Sequence, residues 1–111
     1  MNKNNNTPIP SDFFLYKDSN GEVKVEIYIF NETVWLTQDK IAQLFGVDRS
    51  VVTKHLKNIF QTAELQEDSV SAKIALTAAD GKKYQTKLYN LDAILSVGYR
   101  VNSIQATHFR I

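Results

Sequence analysis

A short joint around Gly46 constrains the fold of this 111-residue chain more than any other feature. Thr37 and Asp48 are residue types that commonly cap helices, and Gly46 lies between the two segments that they would begin. Glycine is favoured where a chain leaves a helix because it adopts a positive φ at little steric cost. The pattern therefore predicts a helix over 38–45 and a longer one over 49–60, separated by a tight turn.

The spacing of residues across that joint is typical of a helix-turn-helix. Ala42 follows Gln38 by four positions, Gly46 follows Ala42 by four, and Val52 follows Gly46 by six. Small residues at such positions let two helices cross closely about the turn. Helical hairpins in proteins that do not bind DNA share parts of this pattern, so the spacing favours the motif but does not fix its role.

β-Hairpins are predicted on both sides of the helix pair. Asn20-Gly21 separates two runs rich in aromatic and β-branched residues, 13–16 and 23–30, and a short third strand can follow at 34–36. Asp80-Gly81 separates a second pair of alternating runs. A three-residue loop there, with Gly81 in the left-handed region, pairs Leu76 with Tyr84 and Ala72 with Leu88, which keeps the apolar residues on one face.

The rest of the chain completes one small domain. Residues 1–10 are rich in Asn and are predicted to form a disordered arm, and the acidic segment 61–69 is predicted to be a loop or an extra turn. Asn90 is placed to cap a third helix over 91–101. We therefore predict an α+β, winged helix-turn-helix-like domain over residues 11–111, in the order N-terminal hairpin, helix pair, second hairpin (the wing) and C-terminal helix.

Charge is segregated along the chain, although its net value is only +1. Residues 37–60 and 81–111 carry net charges of +2 and +4, while residues 61–80 carry −3. Two basic segments can place positive charge on one face of a nearly neutral molecule. The alternative is that these charges belong to solvated faces without a partner.

Basic and hydroxyl side chains share the predicted outer side of the second helix. Arginine near the start of such a helix can pair with guanine in the major groove, and lysines further along are placed for phosphates. On the second hairpin, Lys73 is expected directly opposite Lys87, an arrangement that is unfavourable unless an anion lies between them. Arg49, Ser50 and Thr53 are predicted to face base edges, and Lys54, Lys57, Lys83 and Lys87 to contact phosphates. The full predicted set is Arg49, Ser50, Thr53, Lys54, Lys57, Lys73, Lys82, Lys83 and Lys87.

Catalysis is not expected from these residues. The absence of cysteine excludes disulfides, thiol nucleophiles and zinc sites with sulfur ligands. His55 lies on the apolar side of its helix and is predicted to be a satisfied core or half-buried histidine, and His108 lies near the end of the sequence. We predict no enzyme activity, catalytic residue, cofactor, metal or small-molecule substrate. Aromatic side chains in the first hairpin could form a base-stacking platform, but such residues are more often core: they are Phe13, Phe14, Tyr16, Tyr28, Phe30 and Trp35.

No apolar run reaches the roughly 20 residues that span a bilayer, and the first residues lack an apolar export segment. The sequence therefore predicts a cytoplasmic protein without a membrane partner.

Five segments, 34–38, 41–47, 89–94, 96–103 and 106–110, resemble the N-terminal domain of the RhuM family of bacterial virulence-associated proteins. The run Gly98-Tyr99-Arg100-Val101-Asn102-Ser103 is the most specific of them. The chain also resembles, more distantly, the Bro and KilA N-terminal DNA-binding domains of phage antirepressors. The resemblance implies a DNA-binding, regulatory role and an N-terminal fragment of a longer protein. Ser103-Ile104-Gln105 departs from the basic pair expected there, which argues against a phosphate contact by that loop.

Together these observations predict a transcription-regulatory domain that binds double-stranded DNA. A recognition helix would enter the major groove, and the wing would contact the adjoining backbone. The two elements together would contact about four to six phosphates, so affinity would fall as salt rises. So small a domain is expected to act as a homodimer on a two-fold site. The alternative is a protein-interaction module that positions a downstream effector domain.

Overall fold

A five-stranded antiparallel sheet and four helices form the part of the chain that the structure describes. The structure, a computed structural model, describes the backbone of residues 9–17 and 21–109 and the side chains of residues 25–102. In chain order the elements are β1 (Ile9–Lys17), β2 (Gly21–Phe30), β3 (Thr33–Leu36), α1 (Gln38–Phe45), α2 (Arg49–Gln61), α3 (Glu67–Val70), β4 (Ser71–Thr77), β5 (Lys83–Asn90) and α4 (Leu91–Phe109). The strand order is β1-β2-β3-β5-β4. The predicted α+β class is confirmed.

The joint between α1 and α2 is formed as predicted. Thr37 Oγ1 accepts the N–H of Lys40 at 3.2 Å, and Asp48 Oδ2 accepts the N–H of Ser50 at 3.0 Å, so both predicted caps are confirmed. Gly46 ends α1 in the left-handed region, with φ 69° and ψ 35°. α1 has the predicted bounds, and α2 ends one residue later than predicted, at Gln61.

The second hairpin has the register that the three-residue loop predicts. Leu76 pairs with Tyr84 and Ala72 with Leu88, and Gly81 has a φ of 83°. Asn31 and Glu32 link β2 to β3 with φ values of 50° and 61°, the positive values that a two-residue hairpin loop requires.

Two boundaries differ from the predictions. β1 already includes Ile9 and Pro10, which the sequence assigned to the arm, while residues 1–8 and the turn at 18–20 lie outside the described residues. α4 begins after Asn90, whose Oδ1 accepts the N–H of Ala93 at 3.2 Å, but it continues to Phe109 instead of ending near residue 101. Asn102 and Ser103 are weak helix formers, and they do not end this helix.

The helices pack on one face of the sheet. Val25, Ile27, Leu36 and Tyr89 point to that face and share a core with residues from all four helices. Gly98 lets α4 and the Phe45 ring approach closely, because a Cβ there would lie 2.7 Å from Cζ of Phe45 unless that ring shifted. The further helical members of this core are Ile41, Ala42, Val52, Leu56, Ile59, Val70, Ala93, Ile94, Val97 and Val101.

A smaller apolar cluster lies on the opposite face of the sheet. The rings of Phe30 and Trp35 stack with centroids 4.5 Å apart, and Leu88 is fully buried beside them. Trp35 Nε1 donates to the carbonyl oxygen of Phe30 at 2.9 Å. Phe30 and Trp35 are therefore core residues, and Tyr28 packs against them. The side chains of Phe13, Phe14 and Tyr16 lie outside the described residues.

Candidate nucleic-acid interface

The start of α2 presents an exposed arginine that already has an acidic partner. Arg49 Nε lies 3.3 Å from Oδ1 of Asp39, a residue in the first turn of α1, and the two side chains are 62% and 71% exposed. Exposed ion pairs contribute little to stability, at most about 1 kcal/mol. Arg49 is therefore accessible and can exchange Asp39 for another anion at small cost.

Ser50 is engaged in the cap of its own helix. Its hydroxyl donates to Asp48 Oδ2 at 2.6 Å, in addition to the backbone bond to the same oxygen. These hydrogen bonds from Ser50 lower the pKa of the Asp48 carboxyl below its usual value. The carboxylate therefore stays ionised beside Ser50, and Ser50 must give up this bond before its hydroxyl can donate to a base.

Thr53 belongs to a hydrogen-bonded network that joins α1, α2 and β5. Its hydroxyl lies 2.6 Å from Oε1 of Gln38 and 3.1 Å from the carbonyl oxygen of Arg49, both acceptors. Gln38 Nε2 in turn donates to the Tyr89 hydroxyl at 3.4 Å. The sequence placed Gln38 only in the joint between the helices; in the structure it also links Thr53 of α2 to Tyr89 of the sheet.

Lys54 and Lys57 are the freest cations of α2. Both side chains are exposed, and neither makes an ion pair or a hydrogen bond within the described part of the chain. The opposite side of the helix is buried through Val52, Leu56 and Ile59, as its periodicity predicts. The polar side of α2 is thus not covered by the packing of the domain.

Three lysines of the second hairpin, Lys73, Lys83 and Lys87, lie on the face of the sheet that bears the helices. Lys73 pairs with Lys87 across β4 and β5, which confirms the predicted juxtaposition. Lys87 alternates with the buried residue Leu88 and has the same orientation as Tyr89, whose ring stacks with Phe60 of α2. The row formed by Lys73, Lys83 and Lys87 therefore faces the side on which α2 packs.

Lys87 has a partner that the sequence did not indicate. Its ammonium group donates to Oε2 of Glu67 in α3 and lies 5.7 Å from the centroid of the Tyr89 ring. The hydrogen bond to Glu67 raises the pKa of Lys87 above its usual value. Glu67 thus supplies an anion for Lys87 itself, and Lys87 is half-buried rather than freely exposed.

Lys82 and Lys83 lie at the tip of the hairpin and are exposed. The turn is organised by Asp80, which accepts the N–H of Lys82 at 2.9 Å and the hydroxyl of Tyr84 at 2.7 Å. The hydrogen bond from Tyr84 is the main cause of a lowered pKa of Asp80. The tip therefore combines two free ammonium groups with one ionised carboxylate.

Three adjoining grooves bring five of the nine predicted residues together. The first, of about 290 Å³, lies between the start of α2 and β5, and it is bordered by Arg49 and Lys87. The second, of about 350 Å³, is bordered by Lys73 and Lys87. The third, also about 350 Å³, is bordered by Thr53 and Lys57. Ser50, Lys54, Lys82 and Lys83 do not border these grooves.

The same surface contains carboxylates. Glu67 borders the second and third grooves, and Asp68 borders the second. The sequence indicates these carboxylates only through the acidic character of segment 61–69. Their positions beside the lysines depend on α3, a single helical turn. The surface is thus mixed in sign at its centre and basic at α2 and the hairpin tip.

Membrane-spanning helices and metal-binding clusters are both absent from the described residues. Within residues 9–17 and 21–109, no helix has the length and hydropathy needed to span a bilayer. The same part of the chain holds no group of three or more His, Cys, Asp or Glu side chains that could bind a metal ion.

Comparison with known proteins bears on the C-terminal part of the chain. Residues 69–111 match the model of the virulence protein RhuM family. The predicted resemblance to RhuM proteins is thereby confirmed over β4, β5 and α4, and the segments at 34–38 and 41–47 lie outside the RhuM match. Searches of curated proteins and of solved structures found no match to the chain. The more distant resemblance to phage antirepressor domains stays a prediction.

Proposed function

We propose that this chain is a winged helix-turn-helix-like domain that binds double-stranded DNA and regulates transcription. α2 would enter the major groove, and the β4–β5 hairpin would act as the wing on the adjoining backbone. The observation that carries the proposal is the shared concave surface, in which Arg49 at the start of α2 and Lys87 on β5 border one groove. A helix and a basic ribbon side by side can follow a groove and a phosphate strand together.

The geometry of α2 supports the proposal. Arg49, Ser50 and Thr53 lie in its first turns, the end of a recognition helix that commonly reaches base edges. Lys54 and Lys57 follow and lie free of carboxylates, as suits contacts to phosphate. Packing of the opposite side of α2 fixes its orientation without covering this one.

The electrostatics support binding that is weak and strongly dependent on salt. About four to six phosphate contacts correspond to a slope of roughly −4 to −5 in a plot of log affinity against log salt. Affinity is then expected to fall by about two to three orders of magnitude between 50 and 200 mM salt. Lys87 contributes fully only if Glu67 releases it.

Fluorescence anisotropy with a labelled mixed-sequence duplex tests the proposal at low and moderate salt. The double substitution Lys54→Glu and Lys57→Glu should abolish binding at low salt, because both side chains are exposed on the polar side of α2. Far-ultraviolet circular dichroism and a thermal melt check that this variant is folded.

A matched control separates the interface from net charge. Lys17→Glu with Lys24→Glu changes the net charge by the same amount. These positions lie on β1 and β2, the two strands at the opposite edge of the sheet from β4. This control should keep most of the binding. No binding by the wild type at low salt, or equal losses in the two double variants, would reject the DNA-reading helix and favour a protein-interaction module.

A further inference from the structure

The outer side of α4 is apolar where a surface helix is ordinarily polar. Leu91, Leu95 and Tyr99 are 42%, 51% and 77% exposed. They are spaced four residues apart and so lie along one side of the helix. Between residues 91 and 102 the other exposed side chains of α4 are Asp92 and Asn102. We call Leu91, Leu95 and Tyr99 the α4 stripe.

An apolar hollow lies directly beside the α4 stripe. It measures about 310 Å³ and is enclosed by α4, α1 and the strands β2 and β3. No charged side chain lines it, and Leu91 and Leu95 form one of its walls. The remaining walls include Val25, Ile27, Val34 and Phe45. A ridge and a hollow thus occur next to each other on one face.

We propose that this face binds the same face of a second copy of the chain. A two-fold axis near Leu95 would set the two α4 helices antiparallel, with Leu91 of one copy near Tyr99 of the other. Each stripe then covers the hollow of its partner, which gives the closed, self-complementary contact of a symmetric dimer.

Charge favours a second copy as the occupant. Symmetric packing brings each group close to its own copy, so any charge at the centre would repel itself. The hollow and the α4 stripe carry none. A charged partner, in contrast, would find no opposite charge to pair with on this face.

The area available sets the strength of the contact. A stable interface commonly buries about 800 Å² on each partner. Three partly exposed side chains and one hollow offer less, although α4, with 19 residues and a length of about 28 Å, provides a continuous edge. We therefore expect a dimer with a dissociation constant in the micromolar range or weaker, which two adjacent DNA half-sites would strengthen by raising the effective concentration.

The dimer face and the DNA surface are separate. No residue that lines the apolar hollow borders any of the three grooves around α2 and β5. A second copy can therefore bind without covering the proposed interface. The two-fold arrangement on DNA rests on the proposed function, whereas self-association of the free protein does not.

Sedimentation analysis of the free protein tests the dimer from micromolar to millimolar concentration. The average mass of the wild type should rise from 12.6 kDa toward twice that value. Leu95→Gln with Tyr99→Gln should remain monomeric, with association at least tenfold weaker. Glutamine is a good helix former and adds no charge, so the fold and the DNA electrostatics are kept.

Tyr84→Gln is the control, because Tyr84 is 49% exposed but lies on the hairpin, away from α4. It should associate like the wild type. A wild type that stays monomeric over the whole range, or a double variant that associates as well as the wild type, overturns the dimer face. Because no DNA is present, neither result depends on DNA binding, and anisotropy of the double variant with the duplex measures that separately.

Discussion

His55 provides the sharpest test of the packing between α2 and α4. It is 9% exposed, and neither ring nitrogen has a hydrogen-bond partner in the described part of the chain. The prediction that His55 is a core residue is confirmed, but the hydrogen bonds expected for a satisfied histidine are missing. A buried polar group without a partner costs about 1 to 3 kcal/mol of stability.

The surroundings of His55 disfavour its charged form. Burial lowers its pKa from the usual 6.5, and the positive charges of Arg100 and Lys54 lower it further. Glu64 accepts a hydrogen bond from Arg100 at 2.9 Å and another from Ser96, so that carboxylate is directed to Arg100 and not to the imidazole. Protonation of His55 therefore adds an unpaired charge to the packing between the helices.

The sign of the pH effect follows from that lowered pKa. The unfolded chain binds the proton at about pH 6.5, whereas the folded chain binds it only at a lower pH. Above pH 6.5, His55 is neutral in both states and its titration does not change the free energy of unfolding. That free energy decreases as the pH falls from 6.5 toward the lowered pKa of His55 in the folded chain. The loss cannot exceed about 1.4 kcal/mol per pH unit for one group.

Two substitutions separate the two effects of His55. His55→Leu removes the unpartnered nitrogens, so we expect the free energy of unfolding at pH 7 to rise by about 1 to 3 kcal/mol and the slope below pH 6.5 to flatten. His55→Gln should flatten the slope without the gain, because the amide stays polar but does not titrate.

Urea denaturation followed by Trp35 fluorescence measures both quantities, since Trp35 is 5% exposed and stacked in the folded state. The useful range lies between pH 5 and 7, above the range in which Glu64, Asp48 and Asp80 titrate, because their pKa values are lowered. If His55→Leu is less stable than the wild type at pH 7, or keeps the wild-type slope, the reasoning about this buried histidine is wrong.

Three other substitutions test local features. Glu67→Gln removes the carboxylate beside Lys87. In the anisotropy assay we expect tighter DNA binding and a salt slope steeper by about one. Unchanged binding would mean that Lys87 does not face DNA. Gly46→Ala places a side chain at a φ of 69° and should cost about 1 to 2 kcal/mol in urea denaturation, and a neutral result would contradict the strained end of α1. Trp35→Phe removes the bond to the Phe30 carbonyl and should cost about 1 to 3 kcal/mol in a thermal melt, and an unchanged melting temperature would show that this bond does not stabilise the fold.

The features predicted correctly from sequence depend on neighbours in the chain. Thr37, Asp48 and Asn90 cap helices through bonds to residues two or three positions away. Gly46 and Gly81 adopt the positive φ values that their turns require. Because capping and turn geometry are decided within a few residues, the element order and the hairpin register follow from local patterns.

The features that sequence could not provide join distant parts of the chain. Lys87 meets Glu67 across 20 positions, Thr53 meets Gln38 across 15, and Ser96 meets Glu64 across 32. No periodicity encodes these pairs, since they depend on how the helices lie on the sheet. The alternation of Lys73, Lys83 and Lys87 in the hairpin is visible in the sequence. The sequence does not show that these lysines lie on the same face of the sheet as α2.

These long-range contacts change how the proposed interface must work. Arg49, Ser50 and Lys87 each already bond to an acidic side chain, whereas the ammonium groups of Lys54, Lys57, Lys73, Lys82 and Lys83 have no such partner in the described part of the chain. In the proposed complex, the free lysines would therefore make the first contacts with phosphate. As DNA approaches, the phosphates compete with Asp39 and Glu67 for their cations, and the exposed Asp39 pair is the easier to exchange. Glu67 would remain facing the backbone unless α3 moves, so in the proposed complex the wing binds through its tip more strongly than through its centre.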